Sequence, residues 1–139
     1  MAAILVILSP LAASAEAPVT IVVVERATNN TVTDTGARND SVGDILTFAN
    51  DIYDAHNKFM VGSNDGYCLR TVVGKTWECA WSTKLDGGLI TVQGPFHDGK
   101  DSMLAITGGT GIYVGATGQM LLHPRNDRGT AYDMTFKLR

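Results

Sequence analysis

Apolar and polar residues alternate along much of this chain. Within residues 130–138, every second position is apolar: Tyr132, Met134, Phe136 and Leu138. Within residues 76–85, the same period places Trp77, Cys79 and Trp81 on one side and polar residues on the other. Successive side chains of a β-strand point to opposite faces of the sheet. These segments therefore predict strands with one enclosed apolar face and one solvent-facing side.

Eight segments of this kind follow the first fifteen residues, separated by turn signals such as Asp86-Gly87-Gly88. They cover residues 19–26, 44–48, 66–73, 76–85, 89–96, 102–107, 119–124 and 130–138. Short strands at this spacing are typical of barrels and sandwiches, and closure of the sheet removes exposed edges. The pattern predicts an all-β fold, an eight-stranded antiparallel β-barrel with a central apolar cavity. Within residues 41–57 it allows one short helical turn.

The glycine-rich stretch "LAITGGTGIYVGATGQM", residues 104–120, poses the question of a nucleotide site. A phosphate-binding loop requires a following helix inside a βαβ unit. The residues after Gly111 are too rich in glycine for a helix and lead directly into another strand-like run. The stretch therefore predicts a tight connection between two barrel strands.

Composition narrows the function classes. The net charge is −3 and the basic residues are scattered, which argues against nucleic acid as a partner. The three histidines are isolated and show no metal-ligand spacing, so no metal site is predicted. With 139 residues and 45% hydrophobic residues, the chain suffices for one globular domain, residues 16–139.

Residues 1–15 differ from the rest of the chain. They carry no charge, have an apolar centre and end in Ala13-Ser14-Ala15, which predicts a signal peptide and a secreted protein. A stable membrane span is not expected, because Pro10 interrupts an apolar run shorter than the roughly twenty residues required. The alternative is a disordered tail on an intracellular protein.

Two cysteines flank the turn signal Val73-Gly74. If Cys68 and Cys79 lie opposite one another on antiparallel strands, their side chains share a face and can form a disulfide. An even cysteine count in an exported protein favours that pairing. Two buried free thiols are the alternative.

Four blocks carry a resemblance to a known family: "SVGDILTFANDIYD", "VGSNDGYC", "ITVQGPF" and "SMLAITGGTGIYVGATGQMLL". In order and spacing they resemble the allene oxide cyclases of plants and the wider dirigent superfamily. The resemblance implies an eight-stranded barrel, often a homotrimer, that uses no metal or organic cofactor. In the cyclases an apolar cavity confines an unstable fatty-acid epoxide and sets the stereochemistry of ring closure; dirigent proteins confine reactive phenolic intermediates.

Three residues match functional positions of that family. Glu25 matches a glutamate that stabilises charge developing on the substrate, Asn50 matches a water-binding asparagine, and Cys68 matches a cavity cysteine. Ala27 stands where the family has a second asparagine, and Thr33-Asp34 stands where it has Ser-Pro. The resemblance therefore predicts a related barrel that acts on another substrate.

The predicted function is a cofactor-free barrel that binds a small apolar or aromatic molecule and steers its intramolecular cyclisation or isomerisation. The alternatives are a dirigent-type module that confines a ligand without catalysis, and a structural barrel filled by its own side chains. Glu25 and Asn50 are the candidate catalytic residues, although each also suits a strand end or a turn. The candidate ligand-binding residues are Cys68, Arg70, Trp77, Trp81, Tyr132, Met134 and Phe136. Core packing is the competing role for the aromatic residues, and an ion pair with Glu25 or Glu78 for Arg70.

Overall fold

The structure, a computed structural model, describes residues 17–139, so the predicted signal peptide lies outside the described residues. Nine β-strands make up most of this range: β1 (Val19–Arg26), β2 (Asn30–Thr33), β3 (Ile45–Tyr53), β4 (Met60–Val72), β5 (Thr76–Leu85), β6 (Gly88–His97), β7 (Ser102–Gly109), β8 (Gly118–Pro124) and β9 (Ala131–Leu138). One 3-10 helix, Gly111–Tyr113, joins β7 to β8. Among residues 17–139, no helix is long and apolar enough to cross a membrane.

Eight of the strands close into the predicted antiparallel barrel. Each strand from β3 to β9 pairs with its neighbour in the chain, β9 pairs with β1 along its whole length, and β1 returns to β3 over Val24–Arg26. The ninth strand, β2, continues along the part of β3 that β1 does not reach, and pairs with Ile45–Phe48. Its four residues are exposed, so no alternation marked it in the sequence.

Residues 41–57 contain no helix, although the sequence pattern allowed one short helical turn there. Strand β3 occupies Ile45–Tyr53, with Phe48, Asn50 and Ile52 all turned toward the barrel interior. The predicted strand over residues 44–48 is therefore the first half of a longer one. Asn50 is polar but lies on the inward face, which hid the alternation of the second half.

One half of the barrel interior is solid. Large apolar side chains fill it, and several are fully buried: Ile90, Leu104, Met120, Met134 and Phe136. Burying a side chain of this size contributes about 1.5–3 kcal/mol. In the other half, inward-facing small residues such as Ala27 and Gly66 leave space between the larger ones.

The glycine-rich stretch forms the predicted tight connection. Thr110 N–H bonds to Leu89 O at 2.9 Å, which places the 3-10 helix against the β5–β6 turn. Gly111 has φ +61, and a Cβ at this position would collide with Gly87 O. Glycine is required here for both reasons, and neither involves a phosphate.

Candidate functional site

A cavity remains in the half of the barrel that contains the small residues. Glu25, Asn30, Asn50 and Asn64 form its polar side. Its apolar wall comprises Leu46, Phe48, Trp81, Phe96, Leu122 and Tyr132. The space open to the centres of water molecules is about 60 Å³. A single water needs about 10–15 Å³ by the same measure, so the cavity as it stands holds a few waters or one small group.

Glu25 lies at the polar side of this cavity. Its position on β1, opposite Tyr132 on β9 and Ile52 on β3, turns the side chain into the barrel. Only 6% of the residue is exposed. Charged residues are seldom buried in this way unless a partner or a function holds them.

Two amide groups hold one oxygen of the Glu25 carboxyl. Asn50 Nδ2 donates to Oε1 at 2.9 Å, and Asn64 Nδ2 donates to the same oxygen at 3.0 Å. Within residues 17–139 no hydrogen bond reaches Oε2. The carboxyl therefore has one oxygen fixed in the protein and a second available to the cavity.

Further contacts fix the two amides themselves. Asn50 Oδ1 accepts the Asn29 backbone N–H at 2.9 Å, and Asn50 Nδ2 also donates to Asn30 Oδ1 at 3.1 Å. Asn64 Oδ1 accepts Thr83 Oγ1–H at 2.7 Å. The sheet register places Asn50 opposite Asn64 and Asn64 opposite Thr83, so the row crosses three adjacent strands.

Burial raises the pKa of the Glu25 carboxyl above its usual range, whereas the hydrogen bonds from Asn64 and Asn50 lower it in part. Burial also raises the pKa of Tyr132, and the neighbouring Glu25 and Asp98 carboxylates add to that rise. A carboxyl with increased proton affinity beside an apolar cavity can exchange a proton with a ligand or stabilise positive charge that develops on it.

Five of the residues selected from the sequence meet in this cavity: Glu25, Asn50, Cys68, Trp81 and Tyr132. Met134 and Phe136 do not line it, which corrects the prediction. Both are fully buried and pack in the solid half, because Met134 lies opposite Val23 and Phe136 opposite Ile21, nearer the start of β1 than Glu25.

Arg70 and Trp77 also lie outside the cavity, contrary to prediction. Arg70 Nε contacts Asp40 Oδ1 at 2.6 Å, and Nη1 contacts Asp98 at 2.9 Å. The guanidinium carbon lies 4.1 Å from the centre of the Trp77 ring. Arg70 is thus paired, but with two loop aspartates and not with Glu25 or Glu78. The two residues border a separate surface groove beside Val32.

Sequence reasoning missed Asn64 and Thr83. Both are fully buried, and both stand on faces that alternation had already assigned to the interior, since Asn64 is in phase with Cys68 and Thr83 with Trp81. Asn64 and Thr83 were overlooked because the inward face was expected to carry apolar residues. Phe48 and Phe96, also missed, make edge-to-face ring contacts with Trp81 and Tyr132 at centroid distances of 5.8 Å.

The predicted disulfide between Cys68 and Cys79 is present, and the alternative of two free thiols is wrong. The two residues are directly opposite across β4 and β5, with Cα atoms 4.0 Å apart. Cys68 lines the cavity as part of a disulfide, so it contributes a wall and not a nucleophile. Among residues 17–139, no three His, Cys, Asp or Glu side chains could together hold a metal ion.

The family model for allene oxide cyclase matches residues 19–125. The chain belongs to the allene oxide cyclase family. That membership confirms the resemblance carried by the four sequence blocks.

Several solved structures share the fold of this chain. A pyocyanin demethylase superimposes with a TM-score of 0.74 at 24% identity, covering 87% of this chain and 100% of its own. AbnU, an exo-specific intermolecular Diels-Alderase, has a TM-score of 0.70 at 15% identity, covering 88% and 98%. The pterocarpan synthase dirigent protein PsPTS1 has a TM-score of 0.71 at 10% identity, covering 88% and 94%. At these identities the likeness shows the barrel fold.

Proposed function

We propose that this barrel binds a small apolar or aromatic molecule in the Glu25 cavity and steers its intramolecular cyclisation or isomerisation. The observation that carries the proposal is the buried carboxyl of Glu25, which has Oε1 fixed by Asn50 and Asn64 and Oε2 available to the ligand. Membership in the allene oxide cyclase family supports it. So does the occurrence of a Diels-Alderase and a dirigent protein with the same fold.

In this proposal the cavity wall selects one conformation of a flexible ligand. Holding the two reacting ends together removes much of the entropic barrier to ring closure. The Glu25 carboxylate stabilises positive charge as it develops, or the acid form donates its proton to a ligand oxygen. Asn50 holds Glu25 in place, and Trp81 and Tyr132 supply the flat apolar contacts. All of these groups belong to the chain itself.

The cavity also limits the substrate. With about 60 Å³ open to water centres, it admits a larger ligand only if Phe48, Trp81 or Phe96 moves. Ala27 lines the wall where the resemblance places a second asparagine, so one water-binding group of that pattern is missing. Asn30, three residues later, brings a different amide to the same cavity. We therefore propose a substrate that differs from that of the plant enzymes.

A dirigent-type role is the second candidate. The missing asparagine at Ala27 favours it, because a module that only confines a reactive ligand needs fewer groups on the ligand oxygen. The third alternative, a barrel filled by its own side chains, conflicts with the cavity beside Glu25.

We also propose that residues 1–15 direct export and that the mature domain forms a homotrimer. The disulfide supports export, because such bonds persist in oxidising compartments. Native mass spectrometry of the protein recovered from the medium tests both: a trimer that begins at Glu16 is expected. A monomer that retains residue 1 would contradict both.

Turnover assays test the proposed function. Fatty-acid epoxides and other polyenes are incubated with the wild type, Glu25→Gln and Glu78→Gln. Glu78 is the matched control, because it is exposed on the outward side of β5. We expect faster formation of one product enantiomer with the wild type and Glu78→Gln, and loss of both rate and selectivity with Glu25→Gln. Selectivity without rate enhancement would favour the dirigent-type role, and neither effect with any substrate would contradict both.

A further inference from the structure

Thr83 lies behind the cavity wall and does not touch the ligand space. It is fully buried, as is Asn64. Thr83 Oγ1 donates to Asn64 Oδ1 at 2.7 Å, and Asn64 Nδ2 donates to Glu25 Oε1 at 3.0 Å. Three side chains on β5, β4 and β1 are thus joined in one row of hydrogen bonds.

This row determines which end of the Asn64 amide faces Glu25. An amide oxygen only accepts hydrogen bonds and an amide nitrogen only donates them. A threonine hydroxyl has one proton, and here it goes to Asn64 Oδ1. If the amide were reversed, its oxygen would face the carboxylate oxygen of Glu25 and repel it. A threonine hydroxyl can donate or accept, so the acceptor-only carboxylate of Glu25 sets the orientation of the Asn64 amide. The Thr83 hydroxyl then holds that amide in place by donating to the Oδ1 that points away from Glu25.

The second donor to Glu25 is fixed in a comparable way. The backbone N–H of Asn29 occupies Asn50 Oδ1, which leaves Asn50 Nδ2 directed at Glu25 Oε1. Glu25 Oε1 thus accepts two N–H donors, so a proton or a ligand donor meets the carboxyl at Oε2.

We propose that Thr83, acting through Asn64, is a positioning residue that keeps Glu25 Oε1 bound to the protein and Oε2 presented to the ligand. Its importance for turnover rests on the proposed function. Its effect on the Glu25 carboxyl does not, because every contact in the row is internal to the protein.

The surroundings of Glu25 make that effect measurable. Strands β3, β4 and β5 present Asn50, Asn64 and Thr83, none of which titrates. Strand β9 presents Tyr132, whose pKa is raised above 10.0, so it stays neutral while a carboxyl titrates. Asp98, in the loop that follows β6, is near enough to add to that rise. A change in the Glu25 titration can therefore be assigned to its hydrogen bonds once the Asp98 titration is followed alongside.

Carbon NMR of glutamate and aspartate, both labelled at the side-chain carboxyl, provides the test. The chain has three glutamates, Glu16, Glu25 and Glu78, and Glu25→Gln and Glu78→Gln assign their signals. Thr83→Val removes the hydroxyl and keeps the shape, whereas Thr83→Ser keeps the hydroxyl. We expect a higher Glu25 pKa in Thr83→Val, a wild-type value in Thr83→Ser and no change at Glu78. An unchanged Glu25 pKa in folded Thr83→Val would overturn the proposal, as would equal changes in both variants.

A measurement on the wild type covers the case in which Thr83→Val does not fold. The side-chain amide signals of Asn64 should shift with pH at the same midpoint as the Glu25 carboxyl. Amide signals that do not shift as Glu25 titrates would overturn the proposal. Neither experiment uses a substrate, so the positioning role of Thr83 and the proposed function can be refuted independently. A Glu25 pKa that follows Thr83 without any turnover would leave the positioning role intact and remove the proposed function.

Discussion

Gly66 offers a direct test of how the cavity wall is built. It lies on β4 facing the interior, beneath the edge-to-face contact between Phe48 and Trp81. A Cβ at this position would collide with Trp81 Cβ, and would lie 2.7 Å from Ala80 O and 2.8 Å from Phe48 Cζ. The first two atoms are part of, or attached directly to, the β5 backbone. Only the Phe48 ring can turn away, and it would turn into the ligand space.

The expected cost of Gly66→Ala follows from these contacts. Overpacking a buried site costs about 1–3 kcal/mol, and the two immobile neighbours place this site in the upper part of that range, at about 2–3 kcal/mol. A domain of this size has a total stability of about 5–15 kcal/mol. With a urea slope of about 1–3 kcal/mol per molar, the unfolding midpoint should fall by about 0.7–3 M.

Urea unfolding and ligand binding together measure the effect. Gly99→Ala is the matched control, because a Cβ at this exposed position meets nothing within 4 Å although φ is +66. That control should lose about 1 kcal/mol through backbone strain alone and bind ligand normally. Gly66→Ala should lose more stability and also bind more weakly, as followed by tryptophan fluorescence. Wild-type stability and binding in Gly66→Ala would refute the packing described for Phe48 and Trp81.

Three further predictions concern the carboxyl, the disulfide and the arginine. Burial raises the pKa of Glu25, so its stabilising contribution is complete below the unfolded value of about 4.5 and is lost as pH rises through the folded value. Glu25→Gln should therefore gain stability relative to wild type in urea unfolding as pH rises above about 4.5; a difference that does not change with pH would contradict this. Replacing both Cys68 and Cys79 by Ala should lower the free energy of unfolding by about 2–4 kcal/mol. The intact mass of the wild type should rise by two hydrogens on reduction, and an unchanged mass would show that the disulfide is absent. Arg70→Met should lose about 1–3 kcal/mol of stability in thermal or urea unfolding and keep product selectivity, because Arg70 pairs with loop aspartates outside the cavity. A loss of selectivity at unchanged stability would show instead that Arg70 contributes to the ligand site.

Alternation predicted the barrel because a closed sheet has one interior face, and the apolar residues at every second position of a strand mark that face in the sequence. Alternation also brought Tyr132 to the interior, whereas Glu25 was selected by the family resemblance; the two are direct neighbours on β1 and β9. Alternation did not predict how far along the barrel each inward side chain lies. Tyr132, Met134 and Phe136 share one face of β9, yet only Tyr132 reaches the cavity, because the other two lie further toward the solid half.

The sequence around a strand residue does not show which loop residues it will contact. Arg70 finds its partners 30 and 28 positions away, on the loops that follow β2 and β6. Polar residues inside strands were hidden for the opposite reason. Asn64 breaks the apolar pattern, and its burial is compensated by hydrogen bonds to Thr83 on β5 and Glu25 on β1. A pattern read along one strand cannot show a hydrogen-bonded row that runs across several.

The central claim is that the ligand meets Glu25 inside the barrel. It is tested most directly by the labelled carboxyl signal of Glu25, titrated with pH in the presence and absence of a bound, unreactive ligand. A saturated fatty-acid epoxide is a suitable first probe, since it carries the oxygen and the chain without the double bonds needed to close a ring. We predict that the Glu25 pKa changes on binding while that of Glu78 does not. Binding that quenches tryptophan fluorescence and leaves the Glu25 titration unaltered would contradict the claim.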